Sequence, residues 1–117
     1  MIGNIAWWDL GASDQTVDSL QDYLRDEGVA LWAGIRGLRL KFWISNRERN
    51  LWGAVMVWDA GVDPARLDQP LPPNRAVELI GYPPTERLTF EVEATVEGVH
   101  STPDLGGLGA ALAAVTS

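Results

Sequence analysis

Along residues 38–45, Leu38, Leu40, Phe42 and Ile44 alternate with Arg39, Lys41, Trp43 and Ser45. That period of two predicts a strand with two unlike faces, the first set turned to the core and the second away from it. Residues 88–97 separate more cleanly still: Leu88, Phe90, Val92, Ala94 and Val96 alternate with Thr89, Glu91, Glu93, Thr95 and Glu97. Residues 51–58 are apolar almost throughout, the pattern of a central strand covered on both faces. Residues 4–10 predict a first strand, stopped by the turn chemistry of Gly11-Ala12-Ser13-Asp14.

Between these strands the period changes. Val17, Leu20, Leu24 and Leu31 recur at helical spacing, predicting a helix over 17–32 with Ser13 as its cap, Asp14 in the first turn and Gly28 as a weak point. Asn46-Arg47-Glu48-Arg49-Asn50 has the length of a hairpin connector. From residue 60 to 84, Pro64, Pro70, Pro72, Pro73, Pro83 and Pro84 exclude a long second helix and leave short helical pieces at 64–67 and 74–80. In the tail, Leu105, Leu108, Leu112 and Val115 follow helical spacing. Gly106, Gly107 and Gly109 weaken that helix by about 1 kcal/mol each relative to Ala.

The element order is β-α-β-β-α-β, which predicts an α+β, ferredoxin-like fold with a four-stranded antiparallel sheet over residues 1–98. Residues 99–117 are expected to add a tail whose short helix docks on its own or a partner subunit. Helices cover one sheet face. The other, carrying the third strand and the tryptophan side of the first two, is expected to meet a second copy in a sheet-to-sheet homodimer. Arg39 and Lys41 of one subunit would then approach Glu91 and Glu93 of the other.

Composition narrows the chemistry. The 117 residues are 46% hydrophobic and 21% charged, enough for one compact core. Nine Lys plus Arg against sixteen Asp plus Glu leave a net charge of −7, which argues against nucleic acid or an anionic membrane as partner. No apolar run approaches the roughly 20 residues that span a bilayer. The N-terminus has no basic region before its apolar residues, so the cytoplasm is the expected location. Zero Cys excludes disulfides, Cys-ligated metals and thiolate catalysis, and a single His excludes a His-rich metal site and disfavours haem. Glycines at 106, 107 and 109 lack the lysine of a phosphate loop, and no nucleophile elbow is present. Asp9 and Asp59, each ending a strand, read as turn caps. Six tryptophans, at 7, 8, 32, 43, 52 and 58, are the unusual feature, and aromatic side chains dominate cores and interfaces alike.

Two of the strands carry a resemblance. Gly37-Leu38-Arg39-Leu40-Lys41-Phe42-Trp43, then Trp52-Gly53-Ala54-Val55-Met56-Val57-Trp58-Asp59, is similar to the Lys-x-Trp and Gly-Gly-aliphatic-aromatic-Leu-aromatic pair of a mono-oxygenase family in the dimeric α/β-barrel superfamily. These are relatives of the antibiotic-biosynthesis monooxygenases. The likeness covers the second and third strands well, through short motifs of moderate specificity, and the whole element order loosely over residues 4–98. Ala54 stands where the pattern has its second Gly, Met56 where it has an aromatic, and prolines interrupt the second helix.

The resemblance implies a dimeric barrel with an apolar pocket between sheet and covering elements. It also implies oxidation of aromatic or polyketide-type substrates by molecular oxygen, without metal or flavin. Such chemistry needs a cavity, a base to form an enolate or phenolate, and a donor to hold the anion. Trp7, Trp43, Trp52, Trp58 and Met56 are the expected walls. Arg39 and Lys41 are the expected oxyanion partners, and His100 the group whose ordinary pKa suits proton transfer near neutrality. The alternative is a non-catalytic small-molecule-binding or structural homodimer of the same fold, in which the tryptophans are interface.

Overall fold

A computed structural model describes residues 1–96, 98 and 99. His100 and the expected helix at 105–115 lie outside the described residues. Four strands form one antiparallel sheet: β1 (Ile2–Asp9), β2 (Leu38–Asn46), β3 (Leu51–Trp58) and β4 (Glu86–Glu91), in the order β2-β3-β1-β4. This is the expected α+β arrangement, compatible with a ferredoxin-like fold, with β2 and β4 at opposite edges. β1 runs parallel to β2 with β3 between them, so the helical segment joining β1 to β2 must cross one face of the sheet.

That segment comprises α1 (Val17–Tyr23), a π-helical turn at Leu24–Gly28, and α2 (Val29–Trp32). Its start is not Ser13 but Thr16. The Thr16 hydroxyl accepts from the Ser19 amide at 3.0 Å and the Ser19 hydroxyl accepts from the Thr16 amide at 2.8 Å, a reciprocal capping box. Ser13 Oγ instead donates to the Ile80 carbonyl, tying this loop to α3 (Arg75–Ile80). Asn74 caps α3, and Gly81, at φ 102°, ends it in the left-handed conformation that glycine adopts without strain. The expected helical piece at 64–67 is a turn.

The core lies between the helices and one sheet face. Trp8 and Trp52, opposite each other in the β1–β3 register, pack with ring centroids 5.6 Å apart, and the Tyr23 ring sits 6.5 Å from Trp52. Leu10, Val17, Leu20, Leu24, Ala76 and Ile80 close around them. Trp8 Nε1 donates to the Tyr82 carbonyl, and the Tyr82 hydroxyl donates to the Asp9 carbonyl, so the strap after α3 is bolted to the end of β1. Asp9 caps the short 3₁₀ turn at Leu10–Ala12 by accepting from the Gly11 amide, the turn role its sequence context predicts.

The faces are assigned differently from the expectation. In register, Trp43 stands opposite Ala54 and Lys41 opposite Met56, on the face that carries Trp52 and the core. Leu40, Phe42 and Ile44 therefore lie on the open face, with Leu40 and Phe42 41% and 42% exposed. β4 is reversed in the same way. Leu88 and Phe90 join the open face opposite Ile5 and Gly3, and Leu88 is 59% exposed. The strand also ends at Glu91 rather than 97. Helix crossing, not strand hydrophobicity, decides which face is covered: the chirality of a β-α-β crossover selects the face, and β2 and β4 follow the registers they share with β3 and β1.

Candidate functional site

Lys41 is the centre of the covered face near β2. Its stem runs along the sheet under the end of the helix, and its Nζ sits 3.3 Å from the centroid of the Trp32 ring and 5.0 Å from that of Trp43. Among the described residues no carboxylate lies within 4.0 Å of it. Burial without a counter-ion disfavours the charged ammonium and lowers its pKa from 10.5 to about 7. The two ring faces offset part of that penalty, since a cation over an indole gains about 0.5–2 kcal/mol. Both protonation states are therefore populated at neutral pH.

The π turn explains how Trp32 reaches this position. In a regular helix a core-facing stripe through Val17, Leu20 and Leu24 continues to Leu31. The π turn inserts one extra residue, the Val29 amide donating back to the Leu24 carbonyl, and moves every later residue round the axis by one position. Leu31 is turned out, 37% exposed, and Trp32 is brought down over Lys41. Gly28 closes the turn against Tyr23 and Leu24, where a Cβ would stand 3.1 Å from each. Spacing rules for a 3.6-residue helix cannot detect such an insertion, so Trp32 is the site residue that the sequence pattern missed.

Two orphaned polar atoms share this face. Asn4 and Lys41 both stand opposite Met56, from the strands on its two sides, which makes a row Asn4–Met56–Lys41 across the sheet. Asn4 Oδ1 is buried with no hydrogen-bond partner among the described residues, and so is Nε1 of Trp58, which is only 1% exposed. An unmet acceptor and an unmet donor, each worth about 1–3 kcal/mol of desolvation, accompany one unpaired cation on the same face.

The other expected site residues separate. Arg39 falls at a register irregularity between Leu38 and Leu40 and pairs with Asp59 at 3.6 Å, well exposed. Lys41, under the helix end, is likewise turned away from any second sheet, so the geometry does not offer either cation to Glu91 or Glu93 of another copy across the open face. Trp52 is sealed in the core beside Trp8. Trp7 lies on the open face, next to Gly53, where its Cβ and the Ala6 carbonyl fill the space a side chain would need. The structure thus brings together Lys41, Trp43, Met56 and Trp58 on one face, with Trp52 further along that face in the core, and leaves Arg39 and Trp7 apart from them.

A cavity of about 340 Å³ opens at the hairpin end of the sheet, lined by Ile5, Trp7, Ile44, Leu51 and Arg49 among others. Most of its lining belongs to the open face, with Ser45 and Trp52 at its inner end, and Lys41 is not part of it. Among the described residues no cluster of three metal-ligating side chains is present, and no helix is long and apolar enough to cross a membrane. No family model matches the chain, and no curated protein matches it. The site is therefore read from its own geometry.

Proposed function

We propose that this protein is a small-molecule tailoring enzyme of the monooxygenase type, acting without metal or flavin on an aromatic or polyketide-type compound that carries an acidic C–H or O–H, with Lys41 as its central group. The observation that carries this reading is Lys41 itself, held between the Trp32 and Trp43 rings with no carboxylate within reach among the described residues. A neutral amine there accepts a proton from the substrate, and the ammonium so formed holds the resulting enolate or phenolate. Trp43, Met56 and Trp58 supply an apolar wall, and the orphaned Asn4 and Trp58 atoms supply one acceptor and one donor for substrate polar groups. For an anthrone-type methylene, the carbanion gives its electrons to molecular oxygen. One oxygen atom replaces the two hydrogens as a carbonyl, and the other leaves as water.

We infer further that the working unit is a homodimer joined through the open sheet face. Leu40, Phe42 and Leu88 are large, exposed and neighboured by Ile5, Val55 and Phe90, while the charged residues in that face's registers are Glu86 and Asp9, both at its hairpin end. A surface so poor in charge suits a copy of itself better than a charged partner.

The test is oxygen uptake with an anthrone. Wild-type protein is expected to consume one dioxygen per substrate, and Lys41→Met to lose at least a hundredfold in kcat/KM with its circular dichroism unchanged. No uptake by wild type overturns the enzymatic reading. The second reading, a non-catalytic binding homodimer, is favoured by the position of the described cavity on the face opposite Lys41. Ligand-induced shifts of the Trp7 indole signal without oxygen uptake would select it. Sedimentation at micromolar concentration checks the dimer, and a Phe42→Lys variant is expected to be monomeric.

A further inference from the structure

The cavity at the hairpin end of the open face has its own chemistry. Ile5, Trp7, Ile44 and Leu51 make its apolar walls, and the missing side chain of Gly53 lets the Trp7 Cβ pack directly against the β3 backbone. Arg49 and Asn46, from the β2–β3 connection, stand at its rim. Asn46 Oδ1 accepts from the Arg49 backbone amide at 3.0 Å, fixing the turn from which the guanidinium projects. At about 340 Å³ the space matches the smaller pockets that take organic ligands, which range over roughly 300–1,000 Å³.

Arg49 is also distinguished by what it lacks. Of the eight arginines, Arg25, Arg36, Arg39, Arg47, Arg66 and Arg75 each have a carboxylate within 4.0 Å. Arg49 and Arg87 have none among the described residues, and Arg49 lines the cavity described above. In a chain of net charge −7, an arginine left without a carboxylate at the mouth of an apolar pocket is positioned for an anion from outside.

We propose that this cavity is a second binding site, separate from the Lys41 centre, for a small apolar carboxylic acid whose ring or chain lies along Trp7 and Ile44 and whose carboxylate meets Arg49. The site does not depend on the enzymatic reading, since it lies on the other face of the sheet. Trp7 and Ile44 also belong to the face expected to meet a second copy, whose side chains are the rival occupant.

Titration of the full chain with naphthoate and with naphthamide, followed by two-dimensional ¹H–¹⁵N spectra, tests it. Naphthoate is expected to shift the Trp7 indole signal and the amides of Ile44, Asn46 and Leu51, and to bind about tenfold more tightly than the neutral amide. Arg49→Gln is expected to erase that preference and Arg49→Lys to keep part of it, while Ile44→Trp fills the space and abolishes binding of both. Equal binding of acid and amide by wild type overturns the anion class, and shifts confined to Trp32 and Trp43 overturn the location. If naphthoate does not bind, and the Trp7 and Ile44 signals move with protein concentration alone, the cavity holds a second copy and the proposal fails.

Discussion

The two faces of this sheet are both apolar, yet they are different environments. On the covered face, Trp8, Trp52 and Trp58 are buried, and even a lysine is drawn in, its ammonium laid on indole rings. On the open face, Leu40, Phe42 and Leu88 remain 41%, 42% and 59% exposed although they are more uniformly hydrophobic. Burial here follows from which face the connecting helix crosses, and a side chain's apolarity only determines how well it uses the position. A hydrophobic surface that its own helices do not cover becomes a place for association or ligands, while the polar groups trapped beneath them become chemistry.

Core truncation is the strongest way to break this contrast. Trp52→Ala is expected to lower unfolding free energy by about 3–5 kcal/mol in denaturant titration, because the neighbouring Trp8 and Tyr23 rings lose their packing partner. A loss under about 1 kcal/mol would mean that the covered face is loosely packed.

Next in size is the pH dependence contributed by Lys41. Its pKa is near 7 in the folded chain and 10.5 when unfolded, so between those values the unfolded chain holds the proton that the folded chain has released. Stability therefore rises with pH across that window, and the penalty of the buried charge is fully felt below pH 7. Wild type is expected to gain on the order of 3 kcal/mol relative to Lys41→Met between about pH 6.5 and about pH 9.5. Parallel stability curves for the two proteins would show that the ammonium is as well solvated as one on the open face.

Thr16→Ala removes one half of the capping box and should cost about 1 kcal/mol, with Thr16→Ser restoring most of it. The smallest effect belongs to the open face. Leu88→Thr, measured at nanomolar concentration where copies are apart, is expected to change stability by less than about 0.5 kcal/mol. A loss of about 2 kcal/mol there would place Leu88 in the monomer's own core and erase the difference between the faces.

Much of the fold was legible because it rests on local periodicity. The runs at 38–45 and 51–58 became β2 and β3 with the polar connector as their hairpin, and the helix ends at Trp32 as its spacing predicts. The site was legible in part. Lys41, Trp43, Met56 and Trp58 share one face, as two-residue spacing along β2 and β3 requires. Trp32 was hidden by the π turn, whose extra residue breaks the period on which helical reading depends. Arg39 was misread because the irregularity between Leu38 and Leu40 breaks the alternation at that residue.

Sequence alone determined the order of elements, the two sets of side chains along most of each strand and the exclusion of thiolate and His-cluster chemistry, because these follow from spacing and residue type within short stretches. Only the tertiary structure decided which set is covered, that Arg39 turns outward to Asp59, and that a tryptophan from the end of a helix comes to rest on Lys41. Those outcomes depend on the face a crossover takes and on one inserted residue in a helical turn. A period of two or of 3.6 records which residues share a side, and carries no information about what that side will meet.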